Sequence, residues 1–89
     1  MKTLKQLYAF IITSKLRKSV LNLLYKHSTL RQTPIAKKLK KKQQNIRLVL
    51  LQLEKEGLVE CLTPEKKAWK VYAITQLGKD VARYVKKSL

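Results

Sequence analysis

The chain has 89 residues, of which 21 are Lys or Arg and only 5 are Asp or Glu, so its formal net charge is +16. This length leaves room for one domain with one modest core. Hydrophobic residues make up 45% of the chain, which excludes a disordered composition. No apolar run approaches the roughly 20 residues that a membrane-spanning helix needs.

The positive charge is distributed over the whole chain. Residues 1–27, 28–57 and 58–89 carry net charges of +6, +6 and +4. Because a compact domain this positive repels itself, a solubility device explains the charge less well than a polyanionic partner does. Nucleic acid is the first such partner to consider, and an anionic membrane surface is the second.

Two helices are predicted in the first third of the chain. The first has apolar residues at helical spacing, although its "FIIT" also fits a short extended piece. Ser14 is a suitable N-cap for the second helix, which ends near Lys26 and His27. The apolar positions are Leu4, Leu7, Tyr8, Ile11 and Ile12 in the first helix, and Leu16, Val20, Leu23 and Leu24 in the second.

A short third helix and a longer fourth one follow, separated by lysines. Thr33 and Pro34 are predicted as the N-cap and first residue of the third helix, which contains Ile35, Ala36 and Leu39. Gly57 ends the fourth helix. Its apolar side chains lie within a sector of about 100° and are Ile46, Val49, Leu50 and Leu53. The lysines, which we call the lysine corner, are Lys37, Lys38, Lys40, Lys41 and Lys42.

After Gly57 the hydrophobic period changes from helical to extended. The segments "LVECL" and "WKVYAI" flank the turn-like "TPEKKA", which predicts a two-stranded hairpin with Tyr72 and Ile74 facing inward. Thr75 is predicted to cap a last helix. That helix has one apolar side, made of Leu77, Val81, Tyr84 and Val85.

This element order predicts a mainly α (α+β) winged helix-turn-helix. A short helix joined by a tight turn to a longer one is the helix-turn-helix arrangement, and a basic hairpin straight after it makes a wing. We expect one domain over residues 1–89. It consists of an N-terminal extension (1–13), a winged helix core (14–74) and a C-terminal helix (75–89).

The chain resembles winged helix-turn-helix DNA-binding proteins of the archaeal and bacterial regulator type. The resemblance covers Ser14 to Val85 and rests on "SKLRKSVLNLL", "IAKKL", "NIRLVLLQLEKEGLVE" and "VYAITQLG". It implies a DNA-binding transcriptional regulator, often dimeric. The turn in this family usually carries a glycine and then an apolar residue, where this chain has Lys40 and Lys41. A tighter or more helical turn is therefore expected.

The fourth helix, at about residues 43–56, is the predicted recognition helix in the major groove. Gln and Asn can pair with adenine, Arg with guanine, and an apolar side chain with the thymine methyl group. Base contact needs the N-terminal half of this helix. The predicted base-reading residues are Gln43, Gln44, Asn45, Arg47 and Leu48; a solvated polar face is the alternative.

Lysines are predicted to contact the DNA backbone at two places, the lysine corner and the wing (63–70). Lysine is a flexible point charge, which suits it to phosphate contact more than to base reading. The residues concerned are Lys37, Lys38, Lys40, Lys41 and Lys42 at the corner, and Lys66, Lys67 and Lys70 in the wing.

The terminal helices offer more apolar surface than a minimal winged helix needs, so we expect a homodimer built mainly from them. The single cysteine, Cys61, fits a reducing cytoplasm, and with DNA as the expected partner we expect a cytoplasmic, nucleoid-associated protein. One His, one Cys and five acidic residues, without metal spacing or a Gly-rich phosphate loop, predict neither an enzyme nor a cofactor. The sequence shows no ligand pocket, so no small-molecule effector is expected.

The sequence alone leaves four other functions open. The spread of charge favours an architectural, nucleoid-like protein with little sequence preference, whereas the Gln/Asn/Arg face favours sequence-specific duplex DNA binding. An RNA-binding use of the same fold is a further alternative. A protein-interaction winged helix predicts a near-neutral face, and a membrane-surface protein leaves the polar face of the fourth helix without a role.

Overall fold

The computed structural model describes residues 2–66 and 70–87. Within those ranges the chain forms a mainly helical domain with a small antiparallel sheet. The elements are α1 (Leu4–Ile12), α2 (Lys15–His27), β1 (Thr29–Arg31), α3 (Gln32–Leu39), α4 (Gln43–Lys55), β2 (Val59–Cys61), β3 (Val71–Ile74) and α5 (Gln76–Lys87).

Side-chain caps begin three of the helices. The Thr3 hydroxyl accepts from the Gln6 N–H and forms a capping box, so the first segment is helical throughout. The predicted caps are confirmed: Ser14 Oγ accepts from the Arg17 N–H at 3.2 Å, and Thr75 Oγ1 accepts from the Gly78 N–H at 3.0 Å.

The start of α3 differs from the prediction. The helix begins at Gln32, its N-cap is Arg31, and no side chain caps it. Thr33 is therefore inside the helix, and Pro34 is its third residue. Proline is tolerated there because the first N–H groups of a helix have no intrahelical acceptor to lose.

The sheet has a third strand that the sequence did not reveal. The strand order is β1-β3-β2, with both pairs antiparallel, so β3 is central. Tyr72 of β3 lies opposite Leu30 on one side and opposite Cys61 on the other. Sequence periodicity does not indicate a strand here, because the three residues of β1 are too few to show alternation.

The core lies between the five helices and the inner face of the sheet. The predicted inward residues of β3 are confirmed, with Tyr72 at 1% and Ile74 at 8% exposure. On α5, Val81 and Val85 are buried as expected, whereas Leu77 and Tyr84 lie at the rim, each 36% exposed. Buried helical residues that the predicted stripes omitted are Leu21 on α2 and Gly78 and Ala82 on α5.

Two helices end in the same hydrogen-bonded turn. After α4, Gly57 has φ +77°, and the Leu58 N–H donates to the Leu53 carbonyl at 3.0 Å. After α3, Lys40 takes the left-handed position (φ 54°, ψ 46°), and the Lys41 N–H donates to the Ala36 carbonyl at 3.0 Å. This is the Schellman geometry. The expectation of a tighter or more helical turn was wrong, because Lys40 adopts the conformation that glycine usually supplies.

Candidate nucleic-acid interface

Helix α4 has one buried side and one exposed side. Ile46, Leu50 and Leu53 are 0% exposed and Val49 is 7% exposed, so the predicted core stripe is confirmed. The opposite side of α4 faces solvent from the N-terminal end of the helix onwards. All five predicted base-reading residues are exposed along the first two turns: Gln43, Gln44, Asn45, Arg47 and Leu48.

A groove of about 520 Å³ separates the N-terminal ends of α3 and α4 from the wing. It brings together residues that are far apart in the sequence. Of the predicted wing lysines, Lys66 and Lys70 line it, and Lys67 lies outside the described residues. The lining residues are Gln32, Thr33, Gln43, Arg47, Pro64, Glu65, Lys66 and Lys70.

Gln32 connects the three walls of this groove. Its backbone N–H donates to the Lys70 carbonyl at 3.3 Å, which ties α3 to the base of the wing. Its side-chain Nε2 donates to Gln43 Oε1 at 3.1 Å, which ties α3 to α4. The Gln43 amide oxygen thereby accepts a hydrogen bond within the protein. Sequence reasoning did not identify Gln32 and Thr33 as site residues, because their only signal is polarity at the start of the third helix.

The lysine corner lies between the C-terminal end of α3 and the N-terminal end of α4. All five of its lysines are exposed. In the described part of the chain none of them has a carboxylate within ion-pair distance. The corner therefore presents five uncompensated charges beside the exposed side of α4.

The two helices that border the groove share a further property. Neither α3 nor α4 has a side-chain hydrogen bond at its N-cap, which is Arg31 in one and Lys42 in the other. The Gln32 N–H of α3 already donates to the Lys70 carbonyl and the Asn45 N–H of α4 to the Lys42 carbonyl. What makes these ends favourable for anions is therefore the helix dipole.

Two groups have shifted pKa values, the buried Tyr72 and the exposed Arg83. Burial raises the pKa of Tyr72 above its ordinary value, with smaller contributions in the same direction from Cys61 and Glu54, while Arg47 opposes the shift. Tyr72 is therefore neutral at physiological pH. On α5, a hydrogen bond to Tyr25 Oη at 3.2 Å raises the pKa of Arg83, which keeps that guanidinium charged.

A second cavity, of about 430 Å³, lies between α1, α2 and α5. Apolar residues, including Ile11, Leu21 and Val85, form much of its wall, and lysines contribute charge. It shares no residue with the groove. Its lining is completed by Lys15, Lys18, Ser19, Asn22, Ala82 and Lys86.

Residues 2–66 and 70–87 contain no cluster of three or more His, Cys, Asp or Glu side chains suited to a metal ion. Within the same ranges, each helix is too short or too polar to cross a bilayer.

No protein-family model matches the sequence, and a search of curated proteins gave no significant match. Solved structures do match the fold. NadR in complex with 4-hydroxyphenylacetate is 20% identical, with a TM-score of 0.76 over 94% of this chain. YusO from Bacillus subtilis is 21% identical, with a TM-score of 0.76 over 83% of the chain. The Staphylococcus aureus MepR–DNA complex is 21% identical, with a TM-score of 0.73 over 83%.

These likenesses show that the chain has the predicted winged helix-turn-helix fold. The matched regions are 63%, 53% and 62% of the NadR, YusO and MepR chains, so this chain spans less than two thirds of each neighbour. At 20–21% identity the comparison concerns the fold alone.

Proposed function

We propose that the protein binds double-stranded DNA sequence-specifically and acts as a transcriptional regulator. Helix α4 enters the major groove, with Gln43, Gln44, Asn45, Arg47 and Leu48 towards the bases. The wing, residues 63–70, lies on the flanking backbone. The lysine corner neutralises phosphates beside the entry point of α4.

The observation that carries this proposal is the composition of one continuous surface. The groove, the exposed side of α4 and the lysine corner are adjacent, and they combine amide and guanidinium groups with uncompensated charge. Amides and guanidinium groups are what base edges require, and uncompensated lysines are what phosphates require. The neighbours agree with this assignment, since one of them, MepR, is a transcription regulator solved with DNA.

The proposal is tested by selecting bound duplexes from a random-sequence library and measuring their affinity at 50 and 200 mM salt. If six to ten phosphates are neutralised, affinity falls about 10³- to 10⁵-fold over this range. A recovered sequence motif supports site-specific binding. Tight binding without a motif favours the architectural alternative, and preference for RNA over duplex DNA favours the RNA-binding one. Absence of nucleic-acid binding at 50 mM salt contradicts the proposal.

Two substitutions separate base reading from phosphate contact. Arg47→Ala removes a bidentate donor, so it should weaken binding to the selected site by about 1–3 kcal/mol and relax specificity at one position. Lys42→Ala should weaken binding about equally on all sequences and reduce the salt slope by about 1. Both side chains are exposed, so folding is preserved. Equal effects of Arg47→Ala on selected and random duplexes would contradict its base-reading role.

We propose further that two copies associate through α1 and α5. Tyr8 of α1 and Tyr84 of α5 form an edge-to-face pair with ring centroids 5.0 Å apart, so the two helices present one joint surface. That surface contains half-exposed apolar side chains. They are Leu4 at 45% and Ile12 at 43% on α1, and Leu77 and Tyr84 at 36% each on α5.

Sedimentation equilibrium tests this association. A dimer would place two recognition helices about 34 Å apart, one turn of DNA, and would select an inverted repeat. Ile12→Lys should produce monomers because it adds a charge to the shared surface, whereas Leu51→Lys, at a similarly exposed leucine of α4, should not. A monomeric native chain at micromolar concentration, together with a motif lacking inverted symmetry, would contradict the dimer.

Ligand binding in the cavity between α1, α2 and α5 is a second candidate function. Apolar walls with Lys15, Lys18 and Lys86 suit a small aromatic carboxylate, contrary to the sequence-based expectation of no effector. NadR, which shares the fold, was solved with 4-hydroxyphenylacetate. We propose that this cavity binds an anion of that class.

Calorimetric titration with 4-hydroxyphenylacetate tests this candidate, with the uncharged 4-hydroxyphenylacetamide as the matched control. The carboxylate should bind more tightly, and Lys18→Met should abolish the difference because it keeps the aliphatic stem without the charge. Equal affinities for the two compounds, or binding of neither, would contradict a carboxylate site.

A further inference from the structure

Two leucines on the outer side of α4 are not explained by the fold. Leu48 is 55% exposed and Leu51 is 41% exposed. They are three residues apart, which places them about 60° apart around the helix and about 4.5 Å apart along its axis. Both point away from the buried stripe, so together they form an apolar strip on the outermost side of the helix.

The surroundings of this leucine strip restrict what can cover it. Gln44 precedes it and Lys55 follows it on the same side of α4, and Arg47 and the lysine corner lie beside it. A second copy that covered the strip with the same face would bring a second lysine corner against the first, which Coulomb repulsion opposes. Charge complementarity therefore calls for an occupant that is anionic overall and apolar at the point of contact.

The major groove of DNA combines these two properties at one kind of base. Its rim is phosphate, and thymine places a C5-methyl group on its floor, which is the apolar group that an aliphatic side chain can contact there. Successive base pairs are 3.4 Å apart along the duplex. The spacing of Leu48 and Leu51 thus suits methyl groups on neighbouring base pairs.

We propose that Leu48 and Leu51 together read thymine methyl groups, so that the preferred sites carry thymines on neighbouring base pairs in the half-site that α4 enters. This inference rests on the proposed DNA-binding function and adds Leu51 to the residues that determine specificity. It thereby extends base contact beyond the N-terminal half of α4, to which the sequence-based prediction confined it. Gln44, Asn45 and Arg47 supply the hydrogen bonds on either side of the strip.

Replacing thymine by deoxyuridine tests the proposal directly, because it removes only the methyl group and keeps the charge and the hydrogen-bonding pattern of the base. Duplexes selected from a random library are resynthesised with dUTP in place of dTTP, and both forms are titrated at the same salt concentration. Burial of one methyl group corresponds to about a fourfold change in affinity. Loss of two methyl groups should therefore make the affinity for the uridine duplex about 15-fold lower than that for the thymine duplex.

Variants then assign the effect to the strip. Leu48→Gln/Leu51→Gln should bind thymine and uridine duplexes equally, and a thermal melt checks that this exposed double substitution leaves the fold intact. Leu62→Gln is the matched control, since Leu62 is a 50% exposed leucine outside α4. It should retain the native thymine-to-uridine ratio.

The outcomes separate this inference from the function on which it rests. If the native protein binds both duplexes equally, the methyl readout is overturned while the proposed DNA binding stands. The leucine strip would then be expected to contact another protein. A thymine preference that survives in the double variant also overturns it, since the discrimination then arises elsewhere. Failure to bind either duplex at low salt contradicts the proposed function itself.

Discussion

Lys40 has two roles, one through its backbone and one through its side chain. It ends α3 in the left-handed conformation, which costs a residue with a Cβ about 1–2 kcal/mol and glycine almost nothing. It also contributes one of the five exposed charges of the lysine corner. The equivalent turn after α4 uses Gly57, so the chain contains both solutions to the same geometric requirement.

Substitutions at position 40 should separate these two tasks. Lys40→Gly should raise the free energy of unfolding in urea by about 1 kcal/mol because it removes the left-handed penalty. Lys40→Ala removes the same charge but keeps a Cβ, so its stability should stay near that of the native chain. Both variants should lose the same DNA affinity and about one unit of salt slope. Equal stabilisation by glycine and alanine would contradict this account.

Sequence periodicity predicted the side of α4 on which each residue lies, because burial of the stripe at Ile46, Leu50 and Leu53 fixes the rotation of the helix. It did not predict the dihedral angles of Lys40, because lysine rarely adopts them. Nor did it predict the contacts of Gln32, since its partners Gln43 and Lys70 are 11 and 38 residues away along the chain. Such contacts depend on tertiary packing, which periodicity does not encode.

At the scale of elements, Gln32 should matter for DNA binding without touching DNA. Gln32→Ala removes the side-chain bonds from Gln32 Nε2 to Gln43, which tie α3 to α4. It keeps the backbone bond to Lys70, which ties α3 to the base of the wing. We expect about a fivefold loss of affinity, the equivalent of one hydrogen bond, with an unchanged salt slope. Thr33→Ala, in the same groove wall, is the control and should have a smaller effect. A reduced slope for Gln32→Ala would indicate a direct phosphate contact instead.

The packing of α5 depends on a residue without a side chain. A Cβ at Gly78 would lie 2.1 Å from the Leu58 carbonyl oxygen and 2.7 Å from Ile74 Cγ1. Helix propensity alone predicts that Gly78→Ala stabilises the chain by about 1 kcal/mol. The close approach of the Leu58 backbone reverses that sign.

We therefore expect Gly78→Ala to lower the free energy of unfolding by about 2–3 kcal/mol, as overpacking does. Gly57→Ala is the comparison, because its Cβ would meet nothing nearer than Leu77 Cδ2 at 3.9 Å. That variant should cost only the left-handed penalty of about 1 kcal/mol. Urea denaturation of both variants measures the difference, and a Gly78→Ala variant as stable as the native chain would show that α5 can move aside.

The elements themselves were largely predictable, with one exception. Caps at Ser14 and Thr75 and the stop at Gly57 are local signals, and they located the starts of α2 and α5 and the end of α4 within a residue or two. Strand β1 was not predictable, because it has three residues and its partner, β3, lies some 40 residues later. A strand that exists only through such distant pairing leaves no local signature.

For the whole molecule, the charge of +16 should give salt two opposite effects. The radius of gyration is 12.1 Å, which is comparable to the Debye length of about 10 Å at 0.1 M salt, so like charges repel across the domain. Raising NaCl from 0.05 to 0.5 M should increase Tm by at least about 4 °C, equivalent to about 1 kcal/mol. Over the same range DNA affinity should fall steeply.

Differential scanning fluorimetry and DNA titrations in the same buffers measure the two trends. Sucrose at matched osmolality serves as an uncharged control for solute effects and should leave DNA affinity nearly unchanged. A Tm that falls with NaCl would mean that attractive ion pairs, such as Lys2–Glu56 at 2.7 Å, outweigh the repulsion.

The central position of β3 has a consequence for hydrogen exchange. Its backbone is paired with β1 on one side and β2 on the other, and the Ile74 N–H donates to the Ser28 carbonyl at 3.0 Å. Amides so enclosed exchange with solvent mainly when the whole domain opens. The exchange rate of the β3 amides therefore measures the global free energy of unfolding. The decrease of that rate when DNA is added measures the free energy of DNA binding.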